Sequence, residues 1–298
     1  MYSKKISVIM GVYNQLSEEQ LHNAVQSVLT QTETDFEFIV YDDGSDELAS
    51  SYIKKLLDMD PRIIIIGAQE NKGLAFSLNE CIKCAKGKYI ARMDADDISY
   101  ADRFEKQVQF LEHHKEYDWC GCNAELFDSQ GVWGERKMPE YPEKKDFLRY
   151  SPYIHPSVMY RSELFERAGV YNVSKDTLRC EDYEMFMRFH EQGYKGYNIQ
   201  ANLFRYREDR EAYNKRKLCY RISEMKIRYR NFKQMKILWP KGWLYVIRPV
   251  LGIFVPNLFI YKMKRKKNEK KYSENYNLQE NIGENTDVLA GSRQIQKI

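Results

Sequence analysis

The sequence has 298 residues, of which 43% are hydrophobic, and its 47 lysines and arginines nearly balance 43 aspartates and glutamates, for a formal net charge of +4. This composition supports a large buried core and excludes a wholly disordered chain. The balance hides a division, because residues 1–204 carry a net charge of −10 and residues 205–271 one of +16. An acidic body followed by a basic segment indicates one catalytic or binding domain and an appended segment with an anionic partner.

Two features are typical of a cytoplasmic protein. The six cysteines are too few and too irregularly spaced for a disulfide framework, and they lack the second C-x-x-C pair of a zinc site. The apolar run that ends at Val12 is too short for a signal peptide, and no small-residue cleavage site follows it. We therefore expect reduced thiols and a buried first strand.

Strands and helices alternate in the first hundred residues. Apolar, β-branched runs at intervals of about 25 to 30 residues predict strands over 6–10, 36–41, 63–66 and 89–93. Amphipathic segments between them predict helices, the third of which covers 74–85 and ends before Gly87. This alternation predicts an α/β domain with a parallel, doubly wound sheet.

The following residues are less regular. They predict a helix over 102–114, a hairpin with strands at 119–127 and 132–137, and a helix over 182–192 that stops at Gly193. The basic segment is expected to be helical from Arg205 to about Lys236, and the polar residues 272–298 are expected to be disordered.

Acidic residues follow two of the predicted strands. Ligands bind beyond the carboxyl ends of the strands in a doubly wound sheet, and the residues there are Gly11-Val12-Tyr13-Asn14, Asp42-Asp43-Gly44-Ser45 and Asp94-Ala95-Asp96-Asp97. Five carboxylates are thus expected to point into one crevice, where their repulsion favours a divalent cation. Oxygen ligands suit Mg²⁺ or Mn²⁺. The alternative is that Asp42, Asp46 and Asp97 only cap helices.

One further loop has the character of a phosphate site. Asn71-Lys72-Gly73 precedes the third helix, where free backbone N–H groups and a lysine suit an anion, although a glycine before a helix is also ordinary. No G-x-G-x-x-G or G-K-[ST] sequence is present, which excludes the dinucleotide fingerprint and the P-loop.

Six motifs, in order, resemble glycosyltransferase family 2. They are residues 6–14, 42–45, 71–75, 91–97, 155–161 and 181–184. The similarity spans residues 5–207 and is strongest to bacterial exopolysaccharide, capsule and O-antigen transferases of the amylovoran-synthesis type, which share the phrases ARMDADD and HPSVMYR. The resemblance implies a GT-A fold, Rossmann-like with a mostly parallel central sheet flanked by helices, a UDP-sugar donor, a divalent metal and inversion at the anomeric carbon.

The resemblance also implies residue roles. Asp43 would hydrogen-bond the uracil, with Val12 and Tyr13 beside the nucleoside and Asn71 and Lys72 also on the donor. Asp94 and Asp96 would form the D-x-D element, Asp94 towards the ribose and Asp96 on the metal, and Asp182 would be the general base. Arg92, His155 and Arg207 match positions near the donor, although Arg205 is an equal candidate for the diphosphate. The Q-x-x-R-W element of processive members is absent, which favours a single transfer.

The segment that follows the catalytic motifs has three possible interpretations. Residues 243–261 are apolar but contain Arg248, Pro249 and Pro256, so a spanning helix is disfavoured and an interfacial segment or a core-packing helix fits better. Trp239, Trp243 and Tyr245 are typical interfacial anchors, and seven basic residues between 262 and 271 suit anionic lipid. No nucleic-acid-reading motif accompanies the charge, which disfavours a nucleic-acid partner.

These observations together predict a catalytic domain over 1–207, a basic helical membrane-associating segment over 208–271 and a tail over 272–298. The nucleotide-sugar half would cover about 1–100 and the acceptor half about 101–207. The hypothesis is an inverting, metal-dependent enzyme on the cytoplasmic face of the membrane, adding one sugar to a polyprenyl-diphosphate-linked oligosaccharide. Its rivals are a sugar-phosphate nucleotidyltransferase, disfavoured by the missing glycine-rich signature, and a non-catalytic scaffold, disfavoured by the intact aspartates.

Overall fold

A computed structural model describes residues 2–209, 218–252, 256, 259, 261–266, 268 and 269. Nine strands form one sheet in the order β3-β2-β1-β4-β8-β6-β9-β5, with β7 paired to β6. The strands are β1 Lys4–Val12, β2 Phe36–Asp43, β3 Ile63–Ala68, β4 Gly87–Arg92, β5 Ile98–Ser99, β6 Trp119–Asp128, β7 Gly131–Arg136, β8 Met159–Arg161 and β9 Gly196–Arg207.

Eight α-helices accompany these strands within the described residues up to 252, and residues 261–266 are also helical. The eight helices are α1 Glu18–Leu29, α2 Glu47–Lys55, α3 Leu74–Cys84, α4 Arg103–His113, α5 Ser162–Ala168, α6 Glu181–Glu191, α7 Leu218–Gln234 and α8 Trp243–Leu251. Two buried hydrophobic clusters lie on the two faces of the central strands: Val8 and Met10 belong to one, and Ile9 to the other. Strands covered on both faces read as continuous apolar runs, which is why β1 and β2 were predictable.

The central sheet confirms the predicted α/β class but is mixed. β1 pairs in parallel with β2 and β4, and β2 with β3, as the alternation of strands and helices requires. β8 then runs antiparallel to both β4 and β6, and the predicted hairpin of β6 and β7 adds another antiparallel pair. β6 also pairs in parallel with β9, so the sheet is parallel over β3-β2-β1-β4 and mixed beyond β4, where a tight hairpin turn joins the antiparallel strands β6 and β7.

The prediction that the basic segment is helical from Arg205 was wrong at its start. Arg205, Tyr206 and Arg207 end β9, which pairs in parallel with β6, while Arg205 also pairs with β5. Burial of Leu203 and Phe204 in the sheet outweighs the helical pattern of the charged residues. The next described helix, α7, begins at Leu218.

The C-terminal helices pack on the catalytic domain. Ile227 and Phe232 of α7 and Val246 of α8 are buried in the same hydrophobic cluster as Phe186 of α6. The core-packing interpretation thus describes one face of these helices. None of the described helices is long and apolar enough to cross a membrane. All six cysteines are free, as expected, while the tail predicted over 272–298 lies outside the described residues.

Candidate active site

Three carboxylates meet at the carboxyl end of β4. One oxygen from each of Asp94, Asp96 and Asp97 lies within 4.8 Å of the others. All three line a cleft of about 1040 Å³ that continues to α6, α7 and α8. Strand β4 directs its last residues to this edge, where the ligands of open α/β sheets bind.

A buried arginine lies beside these carboxylates. Arg92, the last residue of β4, is fully buried and forms an ion pair with Asp94. Burial alone would lower the pKa of Arg92, but Asp94 and its acidic neighbours raise it, so the guanidinium stays charged. Arg103 of α4, which is also fully buried, donates a hydrogen bond of 2.9 Å to the Arg92 carbonyl and fixes the end of the strand.

The structure distinguishes the two arginines that the sequence left equal. The backbone N–H of Arg207 donates to Asp97 Oδ1 at 2.7 Å, and its Nε donates to the Asp96 carbonyl at 3.0 Å. Arg205 instead pairs with Glu125 at 2.9 Å. Arg207, at the end of β9, is therefore the one that lies at the carboxylate cluster.

The residues of the cluster fit a divalent cation. Burial and repulsion from Asp94 raise the pKa of Asp96 to about 6, and burial and Asp96 raise that of Asp97. The Oδ2 atom of Asp97 is buried and has no hydrogen-bond partner among the described residues. Clustered, desolvated carboxylate oxygens with an unused lone pair are hard ligands of the kind that Mg²⁺ and Mn²⁺ take.

Of the five carboxylates expected in one crevice, the three after β4 form the close cluster, whereas the two after β2 accept hydrogen bonds from nearby loop residues. Asp43 is buried and accepts hydrogen bonds from Asn71 Nδ2, Lys72 N and Gly73 N at 3.0, 2.9 and 2.8 Å. Asp42 accepts from the N–H of Ser45 at 2.9 Å. Backbone and amide donors thus neutralise the carboxylates after β2, and only those after β4 form the cluster. Of the suggested helix caps, Asp46 does cap α2, through Ala49 N at 2.8 Å, whereas Asp97 is in the cluster.

The remaining donor-side candidates lie beside this loop. Val12 is buried in the core, so only its backbone faces the strand end, whereas Tyr13 is 52% exposed and presents its ring to solvent. Asn71 and Lys72 hold Asp43, and Lys72 Nζ lies 4.8 Å from the centre of the Phe76 ring. A carboxylate has about four lone-pair positions, so three hydrogen bonds leave Asp43 able to accept one more.

Gly44 shapes this loop, and its replacement should be costly. Its φ is +71°, and an added Cβ would lie 2.5 Å from the backbone carbon of Glu70. We expect Gly44→Ala to lower the free energy of unfolding by about 2 to 4 kcal/mol, through strain and overlap combined. Denaturant unfolding measures the change. Gly131→Ala is the matched control, because Gly131 has φ +112° with nothing within 4 Å of the added atom. An equal loss in both variants would mean that the overlap with Glu70 contributes nothing to the cost.

Asp182 lies in the first turn of α6, where the helix N-terminus favours a negative charge. Burial raises its pKa, while the backbone N–H of Tyr183 and the charge of Arg92 oppose that rise. Asp94 also acts on this pKa, which shows that the carboxylate cluster and Asp182 are electrostatic neighbours. A base with a raised pKa near the cluster has the chemistry of a proton acceptor.

His155 is held by a tyrosine that sequence reasoning missed. His155 Nε2 lies 2.7 Å from the Tyr171 hydroxyl, and burial together with Arg92 holds the pKa of this histidine well below its usual range. His155 is therefore neutral at pH 7. Asn79 of α3 fixes the backbone of Tyr171 through two hydrogen bonds of 2.9 and 3.0 Å. Asn79 and Tyr171 are 92 residues apart in the chain, so no local sequence pattern indicates their contact.

The far wall of the cleft is basic and was also missed. Arg149, Arg179 and Arg248 line it, together with Arg221 and Arg228 of α7. The positive charge of residues 205–271 is the sequence signal for Arg221, Arg228 and Arg248, whereas Arg149 and Arg179 lie outside that segment. The cleft thus has an acidic end at β4 and a basic wall at α6 to α8.

Comparison with known proteins identifies the fold and family. The family model "Glycosyl transferase family 2" matches residues 7–169. The chain is 36% identical over 272 residues to the putative glycosyltransferase EpsE of Bacillus subtilis (strain 168), covering 89% of this chain and 96% of that protein. It is 27% identical over 267 residues to the amylovoran biosynthesis glycosyltransferase AmsE of Erwinia amylovora, covering 87% and 99%.

Two further similarities bear on the donor and the fold. One relative, 27% identical over 270 residues and covering 87% of this chain and 95% of its own, is the UDP-Gal:alpha-D-GlcNAc-diphosphoundecaprenol beta-1,3-galactosyltransferase of Escherichia coli. The crystal structure of S. aureus TarS 1-349 in complex with UDP-GlcNAc matches with a TM-score of 0.62 at 15% identity, over 85% of this chain and 76% of that one. This likeness shows the GT-A fold. Because the family model covers more than half of the chain and EpsE nearly all of it, the chain belongs to glycosyltransferase family 2 and is a glycosyltransferase.

Proposed function

We propose that this glycosyltransferase moves one sugar from a UDP-sugar, with inversion and with a divalent metal, to a lipid-linked oligosaccharide in cell-surface polysaccharide synthesis. The observation that carries the proposal is the cluster of the Asp94, Asp96 and Asp97 carboxylates in the cleft, with Asp182 near enough for Asp94 to raise its pKa. The cluster would supply ligands for a cation, and Asp182 would supply a proton acceptor.

The reaction proposed is a single displacement. Asp182 takes the proton of the acceptor hydroxyl as that oxygen bonds to the anomeric carbon, and the bond from this carbon to the diphosphate oxygen breaks with its electron pair leaving on UDP. One base on the face opposite the leaving group suffices for inversion, because no glycosyl-enzyme intermediate forms. Mg²⁺ or Mn²⁺ bound by Asp96 and Asp94 would neutralise charge on the departing diphosphate.

Three further residues are proposed to support this site: Arg92, Arg207 and His155. Arg92 pairs with Asp94 and is close enough to lower the pKa of both Asp182 and His155. Arg207 holds the backbone of Asp96 and is the arginine proposed to reach the diphosphate. Neutral His155 is proposed to keep the cleft wall next to the donor free of a further positive charge.

The nucleoside is proposed to lie at the ends of β1 and β2. Asp43 would accept the uracil N–H with its remaining lone pair, and the exposed ring of Tyr13 offers an aromatic surface for the base. Asn71 and Lys72 would act by holding Asp43 in place. The names of relatives support a UDP-linked donor and a diphosphoundecaprenol-linked acceptor, since both occur in that of the Escherichia coli galactosyltransferase.

Direct transfer assays test the proposal. The full chain, purified with Mn²⁺, is offered a panel of UDP-sugars with a GlcNAc-diphosphate-lipid acceptor, and the product is followed by mass spectrometry and its anomeric configuration by NMR. We expect transfer of one sugar, with inverted configuration, that stops on addition of EDTA. Transfer that persists in EDTA would contradict the metal requirement, and a product of retained configuration would contradict the single displacement. If no UDP-sugar in the panel releases its sugar, the non-catalytic scaffold would be favoured.

Membrane attachment is proposed through the outer face of α8, on the cytoplasmic side of the membrane. Trp243, Leu244, Ile247 and Leu251 are exposed there, at 39 to 67%, and Trp239 beside them is 76% exposed. Exposed lysines flank this face at positions 233, 236 and 241. Tyr245, the third expected anchor, is half-buried. Among the described basic residues after 261, Lys264 pairs with Glu208 and Arg265 with Asp128. Lys262 and Lys266 are exposed.

Removing this apolar face should weaken membrane binding. We expect Leu244→Gln with Ile247→Gln to reduce binding to phosphatidylcholine vesicles containing phosphatidylglycerol by about tenfold or more, because each side chain loses apolar area that the bilayer would cover. Vesicle flotation measures the bound fraction. Leu16→Gln with Leu57→Gln removes two leucines of 90 and 53% exposure elsewhere and is the control; an equal loss in both pairs would contradict the assignment to α8.

A further inference from the structure

The basic wall of the cleft contains arginines that the described structure leaves without acidic partners. Arg149, Arg179 and Arg248 line the cleft, and no described carboxylate lies within ion-pair distance of any of them. By contrast, Arg228 in the same wall is paired with Glu224 at 2.9 Å. Within the described residues, three arginines without a carboxylate partner therefore line the same cleft as Asp94, Asp96 and Asp97.

Backbone geometry holds two of these arginines together. Arg248 Nη1 donates to the Arg149 carbonyl at 3.4 Å, which brings α8 against the loop that contains Arg149. Arg228 Nη1 donates to the neighbouring Leu148 carbonyl at 2.8 Å and fixes the same loop from α7. The Arg248 guanidinium is thus held beside the backbone of Arg149, and both residues line the same cleft, where an anion could accept from both side chains.

The third arginine approaches from the helix that carries the base. Arg179 precedes α6, and its positive charge lowers the pKa of Glu181 in the first turn of that helix. Its φ of +66° lies in the left-handed region, which costs a residue with a side chain of this kind free energy that glycine would not lose. The chain nevertheless places an arginine there, on the wall of the cleft.

The position of α8 indicates what kind of anion the wall takes. Arg248 and Pro249 line the cleft, whereas Leu244 and Ile247 on the same helix are exposed outside it. Leu251 lines the cleft and is also 56% exposed, so an apolar path leads from the arginines to the outer face. A phosphate group attached to a long apolar chain matches this pairing of charge and apolar surface, whereas a soluble anion would use only the arginines.

We propose that Arg149, Arg179 and Arg248 bind the diphosphate of a lipid-linked acceptor while its hydrocarbon chain leaves the cleft past Leu251. The donor diphosphate is assigned to the opposite end, at the cation-binding carboxylates. This inference rests on the proposed function for the identity of the acceptor. It explains why α8 carries both a cleft-lining arginine, Arg248, and an exposed apolar face, and it orients the acceptor with its sugar towards Asp182.

Binding measured without donor or metal tests the subsite. The probe is undecaprenyl diphosphate in neutral phosphatidylcholine vesicles, compared with vesicles containing undecaprenol, vesicles containing phosphatidylglycerol, and free inorganic pyrophosphate. We expect the full chain to bind the diphosphate lipid about tenfold or more tightly than each alternative, and Arg149→Gln with Arg248→Gln to lose about tenfold of that affinity, as two charge-assisted contacts to phosphate imply. Arg230→Gln removes an exposed charge of α7 outside the cleft and should leave it unchanged.

Arg179 provides a variant in which folding and binding are separated. Arg179→Gly removes the guanidinium while suiting the left-handed backbone, so we expect thermal stability to be kept or raised while affinity for the diphosphate lipid falls severalfold. Unchanged affinity in both arginine variants would overturn the subsite, as would an equal loss for phosphatidylglycerol, which would mean a general membrane surface. Inorganic pyrophosphate bound as tightly as the lipid would overturn the role of the apolar path.

Two additional readouts distinguish this inference from the proposed function. UDP binding with Mn²⁺ should be equal in the wild type and the arginine variants; a parallel loss would assign these arginines to the donor and overturn the subsite. In transfer assays the variants should raise the acceptor KM with little change in kcat. Diphosphate-lipid binding that depends on the arginines, in a protein that transfers no sugar, would leave the subsite standing and refute the proposed reaction.

Discussion

Asp182→Asn should lower the rate of sugar transfer by about 10²- to 10⁴-fold while donor binding is kept, because a general base contributes that much and an amide cannot take the proton. The side chain lies in the first turn of α6, and burial raises its pKa towards the range in which a base is most useful. Asparagine has nearly the same size, so the fold is expected to survive. The measurements are kcat for transfer and UDP binding with Mn²⁺ by calorimetry.

Glu181 is the sharpest control for this prediction. It precedes Asp182 in the same turn, and burial and the charge of Asp182 raise its pKa to about 7. Glu181→Gln therefore removes a neighbouring carboxylate of similar environment, and we expect at most a small change in kcat. A larger loss of kcat in Glu181→Gln than in Asp182→Asn would assign the role of base to Glu181. Near-normal turnover in both variants would mean that neither residue of this turn is the base.

The parts of the fold set by hydrophobic periodicity were predictable. Strands such as β1 and β2 are buried on both faces, so their sequences are mostly apolar, with Ser7 and Glu37 as buried exceptions. The residues after each run could therefore be assigned to one edge of the sheet. That reasoning found Asp94 and Asp96. It did not separate Asp42 and Asp43 from the close cluster, because periodicity predicts where a strand ends but not which backbone donors, here those of Lys72 and Gly73, bind the carboxylate of Asp43.

Long-range packing determined what the sequence left open. Arg205 and Arg207 lie two residues apart and have the same side chain, so the sequence does not distinguish them. In the sheet, Arg205 pairs with Glu125 whereas Arg207 donates to the Asp96 carbonyl. The contact of His155 with Tyr171 depends in turn on Asn79 in another helix. The basic segment was interpreted through charge alone, and only burial of residues such as Phe232 brings its arginines to the cleft.

Asp96→Asn should weaken metal-dependent UDP binding and at the same time make the metal-free protein more stable. Asn keeps one oxygen but removes the negative charge that a hard divalent cation requires. We expect the Mn²⁺-dependent gain in UDP affinity to fall by about tenfold or more, as loss of one charged ligand implies. The comparison is UDP titration by calorimetry with Mn²⁺ and with EDTA, and an unchanged gain would contradict the metal site.

The stability change has a defined pH dependence. Burial and Asp94 raise the folded-state pKa of Asp96 to about 6, above its unfolded value of about 4, so the folded state binds the proton more tightly. In EDTA the wild type therefore loses stability as the pH rises between these values, and the whole cost, of about 1 to 2 kcal/mol after allowance for partial exposure, is present at pH 8. Asp96→Asn should exceed the wild type in thermal stability at pH 8 and lose that advantage towards pH 4. Glu163→Gln on α5, an exposed carboxylate outside the cleft, is the control and should show no such trend. A variant less stable than the wild type at pH 8 would mean that Asp96 holds the fold together rather than waiting for a cation.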